Sequence, residues 1–335
     1  MREMRVGVIG LGAISHLHIQ AIKGCEELKL YSGCSIDKNQ LDKFCREHRV
    51  KGFTDYRELL EEGVDIVVVA VPHYLHYEIG MKALDCGCHL MMEKPFAITM
   101  EQCRALYRKA KEKGLKVMTA DISYYLPEVE KTREIIRSGR LGRFISGSII
   151  HYRDYFTPDR PAWFLSPELA GGGPLLNIGV HRVGLIRALI GSGEIVVKAS
   201  IGFFQPGVRI EGNGSVFIGY KDGSAVLWEE NCYYKISPEL EKCCHLNFEN
   251  GVINLSKDSV NIIYKDGSVE SHKIDTTKSP YLPHYKEIIS AIKEDRKPYP
   301  GAEEGIMDVR VILASYESAK TGKEVRLDNT DWDIC

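Results

Sequence analysis

The sequence has little net charge and no long hydrophobic run. Its 335 residues include 44 Lys and Arg against 46 Asp and Glu, a formal net charge of −2, so we expect no long-range attraction to nucleic acid or anionic lipid. The longest strongly apolar stretch, Ile66 to Val71, is far shorter than the roughly 18 residues of a membrane span. Glycines interrupt the apolar residues near the N-terminus, which argues against a signal peptide. We therefore predict a cytoplasmic protein with no nucleic-acid or membrane partner.

Cysteine is sparse and scattered. Ten cysteines in 335 residues are too few for a disulfide scaffold, and the sequence contains no Cys-x-x-Cys pair. The two clusters, Cys86-Gly-Cys88-His89 and Cys243-Cys244-His245, have no partner cluster at the spacing of a zinc finger. We predict reduced thiols in a reducing compartment and no bound metal.

The first third of the chain alternates strand-like and helical patterns. Apolar runs of strand length, such as Asp65-Ile-Val-Val-Val-Ala-Val71, are typical of strands buried on both faces of a parallel sheet. Helical patterns separate these runs up to about residue 120. The alternation predicts a doubly wound α/β domain over residues 1–122.

The later part of the chain has a different pattern. The dipeptides Asp222-Gly223 and Asn250-Gly251 separate strand-like runs and favour tight hairpin turns. Residues from about 140 to 275 are therefore predicted to form an antiparallel sheet. We place a second, α+β domain at residues 123–280 and expect helices from about 280 to 325 to complete the first domain.

A glycine-rich turn follows the first predicted strand. In Gly10-Leu-Gly12-Ala13-Ile14-Ser15, the first glycine allows a tight turn, and Gly12 lets the backbone approach a pyrophosphate at the start of the next helix. Asp37 ends the second predicted strand, where a carboxylate accepts hydrogen bonds from an adenosine ribose and favours NAD over NADP. Lys38 beside it keeps NADP open as the cofactor. A βαβ turn that binds no nucleotide is the alternative interpretation.

Three further segments, together with this turn and His18, carry a family resemblance. They are Val71-Pro72-His73-Tyr74-Leu75-His76, Glu93-Lys94-Pro95, and the glycine-rich segment from Gly171 to His181. On these motifs the chain resembles, from end to end, the Gfo/Idh/MocA family of nicotinamide-dependent oxidoreductases. The resemblance implies a Rossmann dinucleotide-binding domain followed by a large open, mainly antiparallel sheet. In the family that sheet supplies the substrate pocket and often an oligomer interface, which implies a homodimer or homotetramer.

The resemblance also implies the site residues. Lys94 matches the family lysine that contacts the nicotinamide and the reacting hydroxyl, and His181 matches the histidine usually assigned as general acid/base. The residues implied at the cofactor are Gly10, Gly12, Ala13, Ile14, Asp37, Val71, Pro72, His73, His76, Glu93 and Lys94. The candidates for substrate binding are Asn177, Tyr124, Arg153 and Trp163. Arg153 and Arg160 are also candidates for binding an anionic substrate group.

The sequence departs from the family pattern at several positions. Asn177 stands where the family commonly has Asp, and an amide cannot act as a base. Val71 and His73 replace a Thr and an Asn of the cofactor turn. Tyr124 occupies the place of a frequent Arg, and Gly184 falls where an Asp often follows the histidine.

Hydride transfer is the chemistry that we expect. Oxidation of a secondary alcohol needs an acceptor for the hydroxyl proton while the hydride passes to the nicotinamide. Histidine suits this role because it titrates close to neutral pH, and Lys94 is the alternative, either sharing the proton or donating a hydrogen bond to the developing alkoxide. We predict an NAD(P)-dependent dehydrogenase or reductase that acts on a sugar, a sugar derivative or an inositol. A nucleotide-sugar or uronate 3-dehydrogenase is an open alternative, and so is a catalytically degenerate regulator that binds the cofactor.

Overall fold

Two sheets, each with its own helices, account for most of the regular structure. The computed structural model describes residues 3–234 and 242–328. These residues divide into two units. Unit 1 contains residues 3–122 and 279–307, and unit 2 contains the remainder.

The elements are numbered in chain order. The strands are β1 (Met4–Ile9), β2 (Leu28–Cys34), β3 (Lys51–Phe53), β4 (Ile66–Val69), β5 (His89–Met92), β6 (Val117–Thr119), β7 (Phe144–Tyr152), β8 (Glu194–Gly202), β9 (Asn213–Tyr220), β10 (Ala225–Asn231), β11 (Lys242–Phe248), β12 (Gly251–Leu255), β13 (Ser259–Tyr264), β14 (Val269–Lys273) and β15 (Val325–Arg326). The helices are α1 (Ser15–Lys23), α2 (Lys38–His48), α3 (Tyr56–Glu61), α4 (His76–Asp85), α5 (Met100–Glu112), α6 (Pro127–Arg137), α7 (Pro167–Ala170), α8 (Val180–Ile190), α9 (Tyr281–Lys293) and α10 (Ala302–Thr321).

Unit 1 is built on a parallel sheet with the strand order β3-β2-β1-β4-β5-β6. Strand β4 is buried along its whole length, as its continuous β-branched run predicts. The chain order reverses between β1 and β4, which are neighbours in the sheet. Open α/β sheets bind ligands at such a point, outside the carboxyl ends of the strands. The predicted doubly wound Rossmann fold is confirmed.

Unit 2 is built on a nine-stranded sheet with the order β14-β13-β12-β11-β7-β10-β9-β8-β15. Its neighbouring strands pair antiparallel except β7 and β10. Gly223 and Gly267 lie in hairpin turns with φ of +89° and +86°, which glycine adopts without steric cost. The prediction of a large, mainly antiparallel sheet is confirmed.

Three details differ from the prediction. Strands β7 and β10 run parallel, and parallel neighbours need a long crossover connection, which the chain between them supplies. Residues 162–190 are mainly helical rather than extended. Eight of the eleven residues of α8 are buried, so its apolar residues show no helical period and resemble a buried strand. The short edge strand β3 was missed because its residues are largely exposed.

The C-terminal helices divide between the two units. Helix α9 and the start of α10 belong to unit 1, and α10 belongs to unit 2 from Asp308 onward. In unit 2, Ser318 of α10 accepts a hydrogen bond from the Ala199 amide (3.0 Å), and β15 pairs with β8. This division differs from the expectation that the helices up to about residue 325 complete the first domain.

Arg187 is a buried charge that connects α8 to β8 and α10 within unit 2. Its Nη2 donates to Glu194 Oε2 (2.8 Å), and its Nε lies 3.3 Å from Asp308 Oδ1. The three side chains are at most 4% exposed. Because a buried charge is costly without a partner, this ion pair network constrains how α8 packs.

We expect Arg187→Met to destabilise the protein strongly, because Glu194 and Asp308 would each lose a buried cationic partner, and Arg310 lies farther from Glu194, at 3.9 Å. The free energy of unfolding should fall by roughly 3–5 kcal/mol, measured by chemical denaturation. The control is Arg140→Met, since Arg140 pairs with Glu270 (2.9 Å) at the surface. Its loss should be within about 1 kcal/mol. Equal losses in the two variants would contradict this account of the network.

Candidate functional site

The glycine-rich turn is packed tightly at Gly10 and open at Gly12. Gly10 has φ +92°, and a Cβ there would lie 2.1 Å from the Ala70 carbonyl oxygen at the end of β4, so a larger residue does not fit. A Cβ at Gly12 would meet none of the described atoms within 4 Å. Gly12 and Ala13 are exposed and Ile14 is half-buried. The backbone here is therefore accessible to a ligand.

The start of α1 suits a phosphate group. Among the described residues, no side chain caps this nine-residue helix, so its first N–H groups lack a side-chain acceptor. Such groups and the helix dipole attract anions. The turn thus fits the pyrophosphate of a dinucleotide.

Asp37 caps helix α2. Its Oδ1 accepts hydrogen bonds from the amides of Asn39 (2.9 Å) and Gln40 (3.1 Å). Asp37 is exposed at the carboxyl end of β2, so its second oxygen can accept from a ligand. One oxygen of Asp37 can therefore cap helix α2 while the carboxylate still repels the 2′-phosphate of NADP. This arrangement fits NAD.

His76 joins the two loops that follow β4 and β5. Its Nδ1 lies 2.8 Å from the Pro95 carbonyl oxygen and its Nε2 lies 2.9 Å from that of Val71. The side chain is fully buried, and burial lowers its pKa. His73 is also buried, with its ring centroid 5.7 Å from that of His76. The structure thus places both imidazoles beneath the surface, whereas Val71 and Pro72 are partly exposed.

A buried carboxylate holds the backbone at Lys94. Glu93 Oε1 lies 2.9 Å from His18 Nε2, and Glu93 Oε2 accepts from the Lys94 amide (3.1 Å). His18 Nδ1 lies 2.8 Å from the Tyr285 hydroxyl. Glu93 and His18 are 5% and 0% exposed, whereas Lys94 is half-buried. Helices α1 and α9 therefore help to position the loop that carries Lys94.

The segment that carries Asn177 and His181 is helical. Residues 175–179 form one turn of π-helix that continues into α8, and such turns are frequent at functional sites. Asn177 and His181 are four residues apart, so they lie on one side of this helical stretch. Asn177 is buried, and its Nδ2 donates to the Tyr155 hydroxyl (3.0 Å). The structure thus brings these two predicted residues together.

A second buried carboxylate, Glu211, holds the start of this segment. It accepts hydrogen bonds from the amides of Gly173 (2.9 Å) and Leu175 (2.9 Å) and from the Tyr316 hydroxyl (2.8 Å). Burial raises the pKa of Glu211. A Cβ at Gly173 would lie 2.6 Å from the Glu211 carbonyl oxygen. Glu211 could not be identified from the sequence, because it lies 36 positions from Leu175 and belongs to no motif.

A third buried carboxylate lies between β7 and β10. Glu230 Oε1 lies 2.5 Å from His151 Nδ1, and Glu230 Oε2 accepts from Trp228 Nε1 (3.1 Å). Trp228 packs beneath the helical segment, because a Cβ at Gly179 would lie 2.4 Å from its ring. This contact was also missed, since the register of two distant strands creates it.

The remaining candidates for substrate binding differ in their surroundings. Tyr124 is fully buried, so it presents no surface to a ligand, and its carbonyl oxygen accepts from Arg133 Nη2 (3.0 Å). Trp163 is half-buried and stacks on Phe164 with 3.7 Å between ring centroids. Arg153 is exposed, and its amide donates to the Asn231 carbonyl oxygen (2.9 Å).

Residues 3–234 and 242–328 contain neither a metal site nor a membrane-spanning helix. In these ranges no group of three or more His, Cys, Asp or Glu side chains could hold a metal ion. Over the same ranges, no helix combines the length and the apolar character that crossing a membrane requires.

The fold and the turn at its switch point define a dinucleotide-binding protein. Residues 4–121 match the family model described as "Oxidoreductase family, NAD-binding Rossmann fold", and residues 129–254 match that of the "GFO/IDH/MocA C-terminal domain". The chain belongs to the Gfo/Idh/MocA family. The predictions of this family and of an NAD(P)-dependent oxidoreductase acting on CH–OH groups are confirmed.

Similar proteins include two dehydrogenases and a solved structure. The chain is 26% identical to D-glucoside 3-dehydrogenase of Escherichia coli (strain K12), over 97% of each chain. It is 25% identical to scyllo-inositol 2-dehydrogenase (NADP(+)) of Bacillus subtilis (strain 168), over 88% of this chain and 89% of that protein. The structure of levoglucosan dehydrogenase in complex with NADH and levoglucosan has a TM-score of 0.90 at 20% identity, covering 98% of this chain and 100% of that one, and so shares its fold.

We expect Asp37→Ser to weaken the preference for NADH over NADPH. Serine still caps a helix, but the variant loses the charge that repels a 2′-phosphate and the carboxylate that accepts from a 2′-hydroxyl. Because hydrogen bonds to charged groups contribute about 1.5–3 kcal/mol, the ratio of the two dissociation constants should fall roughly 10- to 100-fold. Calorimetric titration with each cofactor measures the ratio.

The matched control for this experiment is Asp222→Ser in unit 2. Asp222 accepts from the amide two residues later (3.0 Å), as Asp37 does, so its replacement should leave the ratio unchanged. Tighter binding of NADPH than of NADH by the unsubstituted protein would show that Lys38 governs the ribose site instead.

Proposed function

We propose that this protein transfers a hydride between NAD(P) and a secondary alcohol of a sugar, a sugar derivative or an inositol. The observation that carries the proposal is the position of Lys94. It follows a central parallel strand at the edge that bears the glycine-rich turn, and a buried carboxylate fixes its backbone. Similarity to a glucoside dehydrogenase and an inositol dehydrogenase supports the substrate class.

In this proposal the cofactor turn and the loops after β4 and β5 hold the dinucleotide. Gly10, Gly12, Ala13 and Ile14 approach its phosphates, and Asp37 accepts from its ribose. Val71, Pro72, Glu93 and Lys94 lie along it, with His73 and His76 supporting the loops from below. Bound NAD⁺ supplies the hydride acceptor, and the protein supplies orientation and proton transfer.

Lys94 and His181 have different roles in the proposal. His181 takes the hydroxyl proton, because histidine side chains gain and lose a proton close to neutral pH and can therefore act as general bases there. The Lys94 ammonium donates a hydrogen bond to the alkoxide that develops, which stabilises negative charge in the transition state. Asn177 is a neutral positioning residue. The presence of both Lys94 and His181 favours an enzyme over a degenerate regulator.

We further propose a homo-oligomer that associates through the face of the nine-stranded sheet that bears Phe217 and Leu227. Phe217 and Leu227 are cross-strand neighbours on this face, and they are 39% and 59% exposed. Exposed apolar neighbours of this kind mark interaction surfaces.

The eight described cysteines whose state is defined are free thiols, which supports a reducing location such as the cytoplasm.

A substrate panel with NAD⁺ and NADP⁺ tests the proposed function. Monosaccharides, inositols, uronates and nucleotide sugars are offered, and formation of the reduced nicotinamide is followed by absorbance. At least one sugar or polyol should be oxidised. With that substrate, Lys94→Ala should lower kcat by roughly 10²- to 10³-fold, as loss of a donor to the developing alkoxide does, and leave dinucleotide affinity nearly unchanged. The control is Lys113→Ala, whose side chain lies near Asp85 at the surface.

Two outcomes of this panel would contradict the proposal. Tight cofactor binding without oxidation of any member would favour the regulator. Near-normal turnover by Lys94→Ala would remove Lys94 from the mechanism.

We expect Asn177→Asp to move the acidic limb of the kcat/KM profile for oxidation to higher pH. The substitution places a carboxylate one helical turn from His181, and a nearby anion favours the imidazolium and raises its pKa. The base then becomes available only at higher pH. Asn247→Asp is the control, because Asn247 contacts Ser146 of the neighbouring strand (3.1 Å). An unshifted limb would indicate that Asn177 only hydrogen-bonds a substrate hydroxyl.

A further inference from the structure

A guanidinium group is fixed beside the Asn177–Tyr155 pair. The Cζ atom of Arg160 lies 3.9 Å from the ring centroid of Tyr155 and 5.3 Å from that of Phe164. Its Nε donates to the Tyr155 carbonyl oxygen. Tyr155 itself is fully buried, and its hydroxyl accepts from Asn177. One rigid tyrosine therefore connects Arg160 to the segment that carries His181.

This positive charge has no carboxylate partner in the part of the chain that the structure describes. Arg160 is half-buried, and the exposed Asp159 bonds to Thr157 instead. Burial and the nearby charge of Arg153 lower the pKa of Arg160, although Tyr155 and Asp159 oppose this. Partly desolvated charges without a counter-ion are unfavourable. An anion at this position would relieve both the desolvation and the repulsion.

The orientation of Arg160 leaves its outer edge available. The Cζ atom of Arg160 lies over the Tyr155 ring and its Nε donates to the backbone. Among the described residues neither Nη atom has a hydrogen-bond partner, so both can bind a ligand. These atoms form a planar fork that matches a carboxylate or a phosphate. Arginine stacked on aromatic rings is also pre-organised, which lowers the entropy lost on binding.

We propose that Arg160 binds an oxyanion of the substrate, a carboxylate or a phosphate, and that this enzyme prefers acidic sugars or polyols to neutral ones. The proposal rests on the proposed function, because it assigns the substrate class of that same site. Arg153, which is exposed near Arg160, adds a second positive charge that attracts the same group. The uronate alternative raised by the sequence falls within this class.

Binding to the NADH-loaded protein tests the proposal without requiring turnover. Calorimetry gives the dissociation constants of three ligands of one configuration, D-glucose, D-glucuronate and D-glucose 6-phosphate. The same three forms of D-galactose make a second set. At least one anionic member should bind roughly 10- to 100-fold more tightly than its neutral counterpart, as a hydrogen bond to a charged group provides. The uronate and the sugar phosphate of each set show whether the site prefers a carboxylate or a phosphate.

Variants of Arg160 show whether the preference belongs to this residue. Arg160→Gln should abolish the preference while leaving affinity for the neutral sugar within about threefold, and Arg160→Lys should keep part of it, because lysine retains the charge but loses the fork. The control is Arg143→Gln, since Arg143 pairs with Glu249 at the surface (2.7 Å). This variant should keep the full preference.

Two results would overturn the proposal. One is equal or tighter binding of the neutral members, and the other is an Arg160→Gln variant that keeps the preference or weakens both ligand classes equally. Failure of the proposed function is a separate observation, because then no member of the sets would reduce NAD⁺ even where it binds.

Discussion

A buried carboxylate must be saturated with hydrogen bonds or neutralised. In this protein two such carboxylates hydrogen-bond the backbone of the two segments that carry the candidate catalytic residues. In unit 1, Glu93 is satisfied by His18 and by the Lys94 amide. In unit 2, Glu211 is satisfied by two amides of the glycine-rich segment and by Tyr316. Each carboxylate would be costly if its segment moved away. The loops are therefore pre-organised by groups that do not themselves react.

The candidate catalytic residues are more exposed than the groups that anchor their segments. Lys94 and His181 are half-buried, while the anchoring groups below them are buried. Positioning by locked supporting residues is what catalytic geometry requires. The neutral Asn177 fits the same scheme, because it contacts Tyr155 and adds no charge beside His181.

The sequence predicts those parts of the fold and site that depend on local pattern. The glycine-rich turn and the alternation of strands and helices each follow from neighbouring residues, whereas Lys94 and His181 are predictions that rest on the resemblance to the family. Glu211, Tyr155 and the contact between His151 and Glu230 could not be predicted, because they join residues 22 to 79 positions apart.

Burial explains the other differences between prediction and structure. Helix α8 is buried on most of its surface, so its sequence lacks the polar side by which an amphipathic helix is recognised. Tyr124 was a candidate for substrate binding because of its place in a motif. The structure buries it completely, and a motif position carries no information about exposure. The parallel pairing of β7 with β10 has a different cause. A long connection joins these strands, and its length does not specify which strands become neighbours in the sheet.

We propose that this protein moves a hydride between a polyol carbon and a nicotinamide. The most direct measurement uses ring-deuterated sugars and inositols with NAD⁺ and determines the mass of the reduced cofactor. The account predicts one deuterium in each reduced nicotinamide, carried from the oxidised carbon. Reduced nicotinamide without deuterium, or no reduced nicotinamide with any ring-deuterated sugar, sugar acid or inositol, would contradict it.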